Sequence, residues 1–182
     1  PLGRDADFTI DCMAGPQRAT AATKSYTTSL MAFAMLSAAL NADEKKWAEI
    51  DHIPEWTEKV FELEDTLKAY AERYVYATHC IVLSRGMNQA TSKEWGLKLQ
   101  ELTYMMAEPY SSADFQHGPI AMVDKNYPVL AVACEGKVLD SMLPQMENIR
   151  KNLHGDIFAI TNSDKVAALA SRCVRIPAEV PE

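Results

Sequence analysis

The chain is poor in cysteine, in glycine and in net positive charge, and it has no long apolar run. Its four cysteines, Cys12, Cys80, Cys134 and Cys173, stand far apart with no CxxC spacing. That spacing argues against a zinc site and against a disulfide framework. Each lies in or at the end of an apolar run, as expected of buried free thiols in a reducing cytoplasm. The longest apolar stretches, such as 30–40, are too short or too interrupted to span a bilayer. Nothing near residue 1 has the pattern of a signal peptide. Eighteen Lys and Arg against 25 Asp and Glu give a net charge of −7, which speaks against a nucleic-acid partner. A small anionic substrate stays open, because a local pocket can oppose the global sign. No internal repeat and no low-complexity segment is present.

What is there suits a globular α/β protein. Apolar residues make up 48% of 182, enough for a core. Phe8–Met13 alternates as a short strand does. After Ala14-Gly15-Pro16, residues 18–40 read as a long helix. Apolar residues nearly encircle its second half, which predicts burial between partners. A polar break at 41–46 leads to a short helix through Trp47 and Ile50. Pro54, with Glu55 and Glu58, opens a helix expected to reach Arg73. From residue 75 the order is β-α-β-α-β-α-β: a strand through His79–Leu83, a helix from Asn88 or Thr91 that ends before Pro109, and strands at 129–134, 156–161 and 173–177. Helices are expected at 139–152 and 166–171. Such alternation predicts a parallel sheet with helices on both faces and ligands beyond the carboxyl ends of its strands.

The densest chemistry lies in Thr91–Val123. Glu94, Lys98, Glu101 and Met105 follow at steps of four, three and four and share one side of a helix. A solvated pair on a helix surface explains Glu94–Lys98 equally well, at a few tenths of a kcal/mol. Gly96 costs about 1 kcal/mol against Ala inside a helix, so close packing is expected there. His117 follows Glu101 by what reads as one loop, and Ser111–Asp114 can cap a short helix within it. An imidazole and a carboxylate are the groups that enolisation beside a carbonyl needs.

The run GLKLQELTYMMAEPYSSADFQHGPIAMVDKNYPVLAVA, with the earlier Ala21-Ala22-Thr23-Lys24-Ser25-Tyr26-Thr27-Thr28, resembles the double sugar-isomerase (SIS) domain phosphosugar family. That family includes the isomerase part of glucosamine-6-phosphate synthase and related glucosamine-6-phosphate deaminases. The Ala107–Pro119 stretch is more similar to the deaminase-like branch. The resemblance implies a three-layer αβα, flavodoxin-like parallel sheet. Residues 1–42 would be the terminal strand and helix of a first SIS domain, 43–60 a connection, and 61–182 a second SIS domain. It also implies roles. Glu101 would move a proton between C1 and C2, and His117 would serve ring opening, often in the neighbouring subunit's site. Lys98 would support Glu101, while Thr20, Ala22 and Lys24 would line the sugar pocket. Ala22 replaces a serine of some members, and Glu94 is assigned to orientation.

The family's Ser/Thr-rich phosphate loop and its Schiff-base lysine would fall before residue 1 and after Glu182, so the chain is expected to be a fragment lacking full activity alone. The implied reaction is aldose–ketose isomerisation on glucosamine 6-phosphate or fructose 6-phosphate, aminating or deaminating, with no metal or organic cofactor. A homodimer is the expected assembly. The alternative is a regulatory SIS protein that binds phosphosugars without turnover. A third possibility is a structural half-domain whose charged helix face is merely solvated.

Overall fold

The computed structural model describes residues 2–180. Pro1, which opens the expected 1–42 span, and Pro181 and Glu182, which close the 61–182 span, lie outside the described residues. The chain divides into two compact units, Pro1–Pro54 and Glu55–Glu182.

The first unit holds α1 (Leu2–Asp5), α2 (Lys24–Leu40) and α3 (Glu44–Asp51), and α4 (Ile53–Phe61) starts at its end. Phe8–Met13, expected as a strand, forms none. A strand needs a ladder to satisfy its backbone, and the unit has no other strand among its described residues. Nor does helix begin at Arg18. Gln17 Nε2 donates to the carbonyls of Ala19 (3.1 Å) and Ala21 (3.3 Å) and fixes a loop. Thr23 precedes α2 with φ −126° and ψ −82°, outside the helical region. Within the single chain the second half of α2 is largely open: Phe33 is 69% and Leu40 78% exposed, and only Ala38 of the helix is fully covered. Asp43 caps α3, its carboxylate accepting from the Lys46 N–H at 3.1 Å.

The second unit continues through α5 (Glu64–Ala71), a 3₁₀ turn at Glu72–Tyr74, β1 (His79–Ser84), α6 (Asn88–Thr103), β2 (Met106–Ser111) and α7 (Ser112–Phe115). A 3₁₀ turn at Pro119–Met122, β3 (Pro128–Val132), α8 (Leu139–Lys151), β4 (Asp156–Thr161), α9 (Asp164–Leu169) and β5 (Arg172–Arg175) complete it. The helix expected over 54–73 breaks between Phe61 and Glu64, and the break lets Leu63 join Tyr70 and Tyr74 against the sheet.

The sheet order is β2-β1-β3-β4-β5, and every pair is parallel. This is the flavodoxin-like order, with its switch point between β1 and β3. Strand β2 lies where a helix is expected to continue towards Pro109. Pro109 and the exposed Glu108 obscure it as a strand, yet both are tolerated at a sheet edge. Alternation assigns the two faces. Ile81, Leu83, Val129, Ala131, Ile157 and Ala159 meet Met142, Met146 and Ile149 of α8 on one face. Cys80, Val82, Leu130 and Phe158 meet Trp95 and Leu99 of α6 on the other. There Phe158 receives the rings of Tyr70, Tyr74 and Trp95 edge-on at 5.9–6.3 Å. Gly96 is buried, and a Cβ on it would stand 3.3 Å from the Ala107 carbonyl oxygen of β2. That close approach is what the glycine permits.

Candidate functional site

Helix α6 seats on the sheet through Ser92, Gly96 and Leu99. On the opposite side of the helix, about half a turn round, lie Glu94, Lys98 and Glu101. Lys98 Nζ lies 2.6 Å from Glu101 Oε2 and 3.5 Å from Glu94 Oε1. The lysine and Glu94 side chains are only 19% and 21% exposed, whereas Glu101 is 37% exposed. The Glu101 hydrogen bond, more than Glu94, holds the Lys98 ammonium above the ordinary lysine range. Lys98 is therefore a fixed cation between two carboxylates. It can orient Glu101 and offset its charge, but it is not a base at neutral pH.

His117 is not brought to this cluster. It is exposed, and its N–H donates to the Asp114 carbonyl at 3.1 Å. The neighbouring Phe115 and Ile120 pack on the α8 face of the sheet. Trp95 and Leu99, which flank Lys98, pack on the opposite face. The sheet thus stands between Glu101 and His117 within one chain, and the expected one-loop separation is corrected: a strand, β2, intervenes.

Thr20, Ala22 and Lys24 belong to the first unit. Thr20 and Lys24 are exposed and Ala22 is half-buried. Ser25 Oγ donates to Gln17 Oε1 at 3.3 Å, so the Gln17 side chain braces the loop that carries Thr20 and Ala22. The Lys24 ammonium lies over Gly15, 3.7 Å from where a Cβ would stand.

The second unit also has a cavity of about 440 Å³ beside Phe158, lined by Tyr70, Tyr74, Trp95 and Leu130 among others. Its walls are apolar, and none of the candidate catalytic residues lines it. A second feature, with no sequence motif to mark it, is a polar pocket bordered by Arg73, Arg150 and Arg172. Those arginines come from three separate elements, so no local motif announces them.

A family model for the SIS domain matches residues 74–182. The chain belongs to the SIS-domain family. The SIS chain is 32% identical over 180 residues to a glutamine–fructose-6-phosphate aminotransferase (isomerizing) of Legionella pneumophila strain Lens, covering 97% of this chain and 30% of that protein. It is 34% identical over 147 residues to the protein of the same description from Methanothermobacter thermautotrophicus, covering 81% of this chain and 25% of that one. Among solved structures, the C-terminal domain of glucosamine-fructose-6-phosphate aminotransferase from Francisella tularensis superposes with a TM-score of 0.89 at 28% identity, covering 97% of this chain and 53% of that one. Tagatose-6-phosphate ketose/aldose isomerase from Escherichia coli shares the fold, with a TM-score of 0.64 at 23% identity over 91% of this chain and 44% of that one. The SIS chain is therefore homologous to a segment of these aminotransferases and spans under a third of the length of the curated relatives named. No helix among the described residues is long and apolar enough to cross a membrane.

Proposed function

We propose that this chain supplies the proton-transfer groups of a phosphosugar isomerase acting on a hexose or amino-hexose 6-phosphate. The observation that carries the reading is the Glu94–Lys98–Glu101 cluster, turned away from its own sheet, in a chain homologous to glutamine–fructose-6-phosphate aminotransferases. Glu101 takes the proton from one of C1 and C2 and returns it to the other through an enediol or enolamine. Lys98 keeps the carboxylate oriented and supplies positive charge beside the developing oxyanion. His117 assists ring opening. Thr20, Ala22 and Lys24 line the sugar pocket. No metal or organic cofactor enters the scheme.

In the same reading, residues 1–42 end a first SIS domain, 43–60 connect, and 61–182 form the second. The relatives' descriptions favour amination of fructose 6-phosphate over deamination. The separation of Glu101 from His117 by the sheet favours an assembly of two copies, with each sugar meeting Glu101 of one and His117 of the other. Four free cysteines suit a reducing cytoplasm.

The test is solvent-deuterium exchange at C1 of fructose 6-phosphate and deuterium incorporation at C2 of the aldose product, followed by NMR in the intact protein that contains this chain. Glu101→Gln is expected to abolish exchange and to leave sugar binding in place. Undiminished exchange in that variant overturns the assignment, and a protein that binds the sugar but never exchanges its protons is the regulatory module instead. Glu101→Gln and His117→Ala proteins, each inactive, are expected to regain activity when dissociated and re-associated together. No recovery overturns the shared site.

A further inference from the structure

At the amino end of the sheet, opposite the ends where its crossover helices begin, three guanidinium groups border one small polar pocket. Arg73 lies in the 3₁₀ turn Glu72–Tyr74 before β1, Arg150 lies in the last turn of α8, and Arg172 opens β5. With Asp156, Ser171 and His154 they line a pocket of about 250 Å³. Among the described residues Asp156 is the one carboxylate in the lining, with its side chain 8% exposed. Arg172 Nη1 donates to its Oδ1 at 3.3 Å. Arg73 Nε stands 3.2 Å from Oδ2, but Oδ2 accepts no aligned hydrogen bond among the described residues. Among the described residues, Arg150 donates to a neutral group, Ser171 Oγ, at 3.3 Å. Three guanidinium groups against one carboxylate leave an excess of two positive charges around the pocket, without counting the imidazole. This excess sits in a chain whose net charge is −7.

Like charges do not gather round one pocket without cost, and an anion relieves that cost. A phosphate carries about −1.5 to −2 at neutral pH, which matches the excess. Guanidinium forks suit phosphate oxygens in pairs. The volume falls just under the roughly 300–1,000 Å³ of drug-sized ligand sites, so it suits a phosphate group with little attached to it. The frame is built in advance. Asn126 and His154 hold left-handed conformations, with φ of 66° and 57°, and the Asn126 N–H donates to the His154 carbonyl at 2.9 Å. The Gly155 N–H is committed to Ile149 O at 2.9 Å, so the side chains and not the backbone would do the binding.

We infer that the Arg73–Arg150–Arg172 pocket is a binding site for a phosphate dianion, either free phosphate or the phosphate of a small monoester. None of the six residues assigned to isomerase chemistry or sugar binding takes part, so the site stands or falls independently of that function. Its weakest structural tie is Arg150, which can be changed without stripping Asp156 of its partners.

The experiment is a ¹H–¹⁵N NMR titration of the 182-residue chain with inorganic phosphate and, in parallel, with glycerol 3-phosphate. Sodium chloride holds the ionic strength constant. Saturable shifts are expected at Asn126, Gly155, Asp156, Ser171 and Arg172 with at least one of the two ligands, and the tighter of the two names the source of the phosphate. Arg150→Glu should weaken that binding at least tenfold. Should the spectrum of that variant not be that of a folded chain, Arg150→Gln takes its place, with a loss of at least threefold expected. Shifts that do not saturate, that chloride reproduces, that cluster elsewhere, or that survive the substitution undiminished overturn the site.

Discussion

Lys98 Nζ stands 2.6 Å from Glu101 Oε2, closer than to Glu94 Oε1 at 3.5 Å, so the lysine is paired first with the residue that carries the proposed chemistry. Lys98 is held above the ordinary lysine range by that hydrogen bond. A folded-state value raised above the unfolded one stabilises fully below the unfolded value, about 10.4. The benefit is lost as pH rises through the folded value. Glu101→Gln should therefore bring the Lys98 titration, read from its ¹³Cε shift, down towards the ordinary value. Urea melts at rising alkaline pH should show the wild-type advantage over this variant vanish.

Cys80 lies at 1% exposure in β1, and burial pushes its thiol up to about 12. The thiolate is the reactive form. Iodoacetamide at pH 8, followed by peptide mass mapping, should leave Cys80 unlabelled in the native chain and label it in 6 M guanidinium chloride. Labelling of Cys80 in the native chain at the rate of the partly exposed Cys12 would contradict the burial described.

Ser84 at the end of β1 and Ser92 in α6 share a hydrogen bond of 2.6 Å, and both residues are fully buried. Ser92 Oγ also donates to the Gln89 carbonyl at 3.1 Å, so Ser84 supplies the proton between the two hydroxyls. Ser92→Ala strands a buried donor and should cost about 1–3 kcal/mol in urea unfolding. Removing both hydroxyls should cost less than the sum of the single changes, because no orphan then remains.

Gly155 precedes β4, where a Cβ would meet Ile149 Cγ2 at 2.8 Å and Val123 Cγ1 at 3.1 Å. Ile149 is fully buried in the α8-side core and has little room to yield. Gly155→Ala should cost about 1–3 kcal/mol by overpacking, a fall of several degrees in Tm by calorimetry. An unchanged or raised Tm would show that Ile149 can move aside.

The fold was legible wherever apolar periodicity and tertiary packing agree. Residues 80–83, 129–134 and 157–160 are continuous apolar runs, and each lies in or overlaps a buried parallel strand. Edge strand β2 escaped because one of its faces is partly open and tolerates Glu108 and Pro109. Phe8–Met13 has a strand's alternation but no ladder partner among the described residues of its unit. The helical spacing of Glu94, Lys98 and Glu101 was enough to bring the three together. Nearness in sequence misled for His117: after a crossover helix on one face, the chain runs up an edge strand and turns onto the other. The arginine pocket stayed hidden for a related reason, since its members meet only through the ordering of strands.

The all-parallel order has a consequence for synthesis. Neighbouring parallel strands need a crossover between them, so no strand of this sheet closes on its predecessor by a hairpin. As the chain emerges, β1 can pair first only with the edge strand β2, and its inner neighbour β3 arrives after the whole His117 segment. Until α8 follows β3, Ile81 and Leu83 lack the helix that covers their face. A nascent chain paused in that interval exposes an apolar surface that the finished protein conceals, and it is there that a holding chaperone is expected to be needed most.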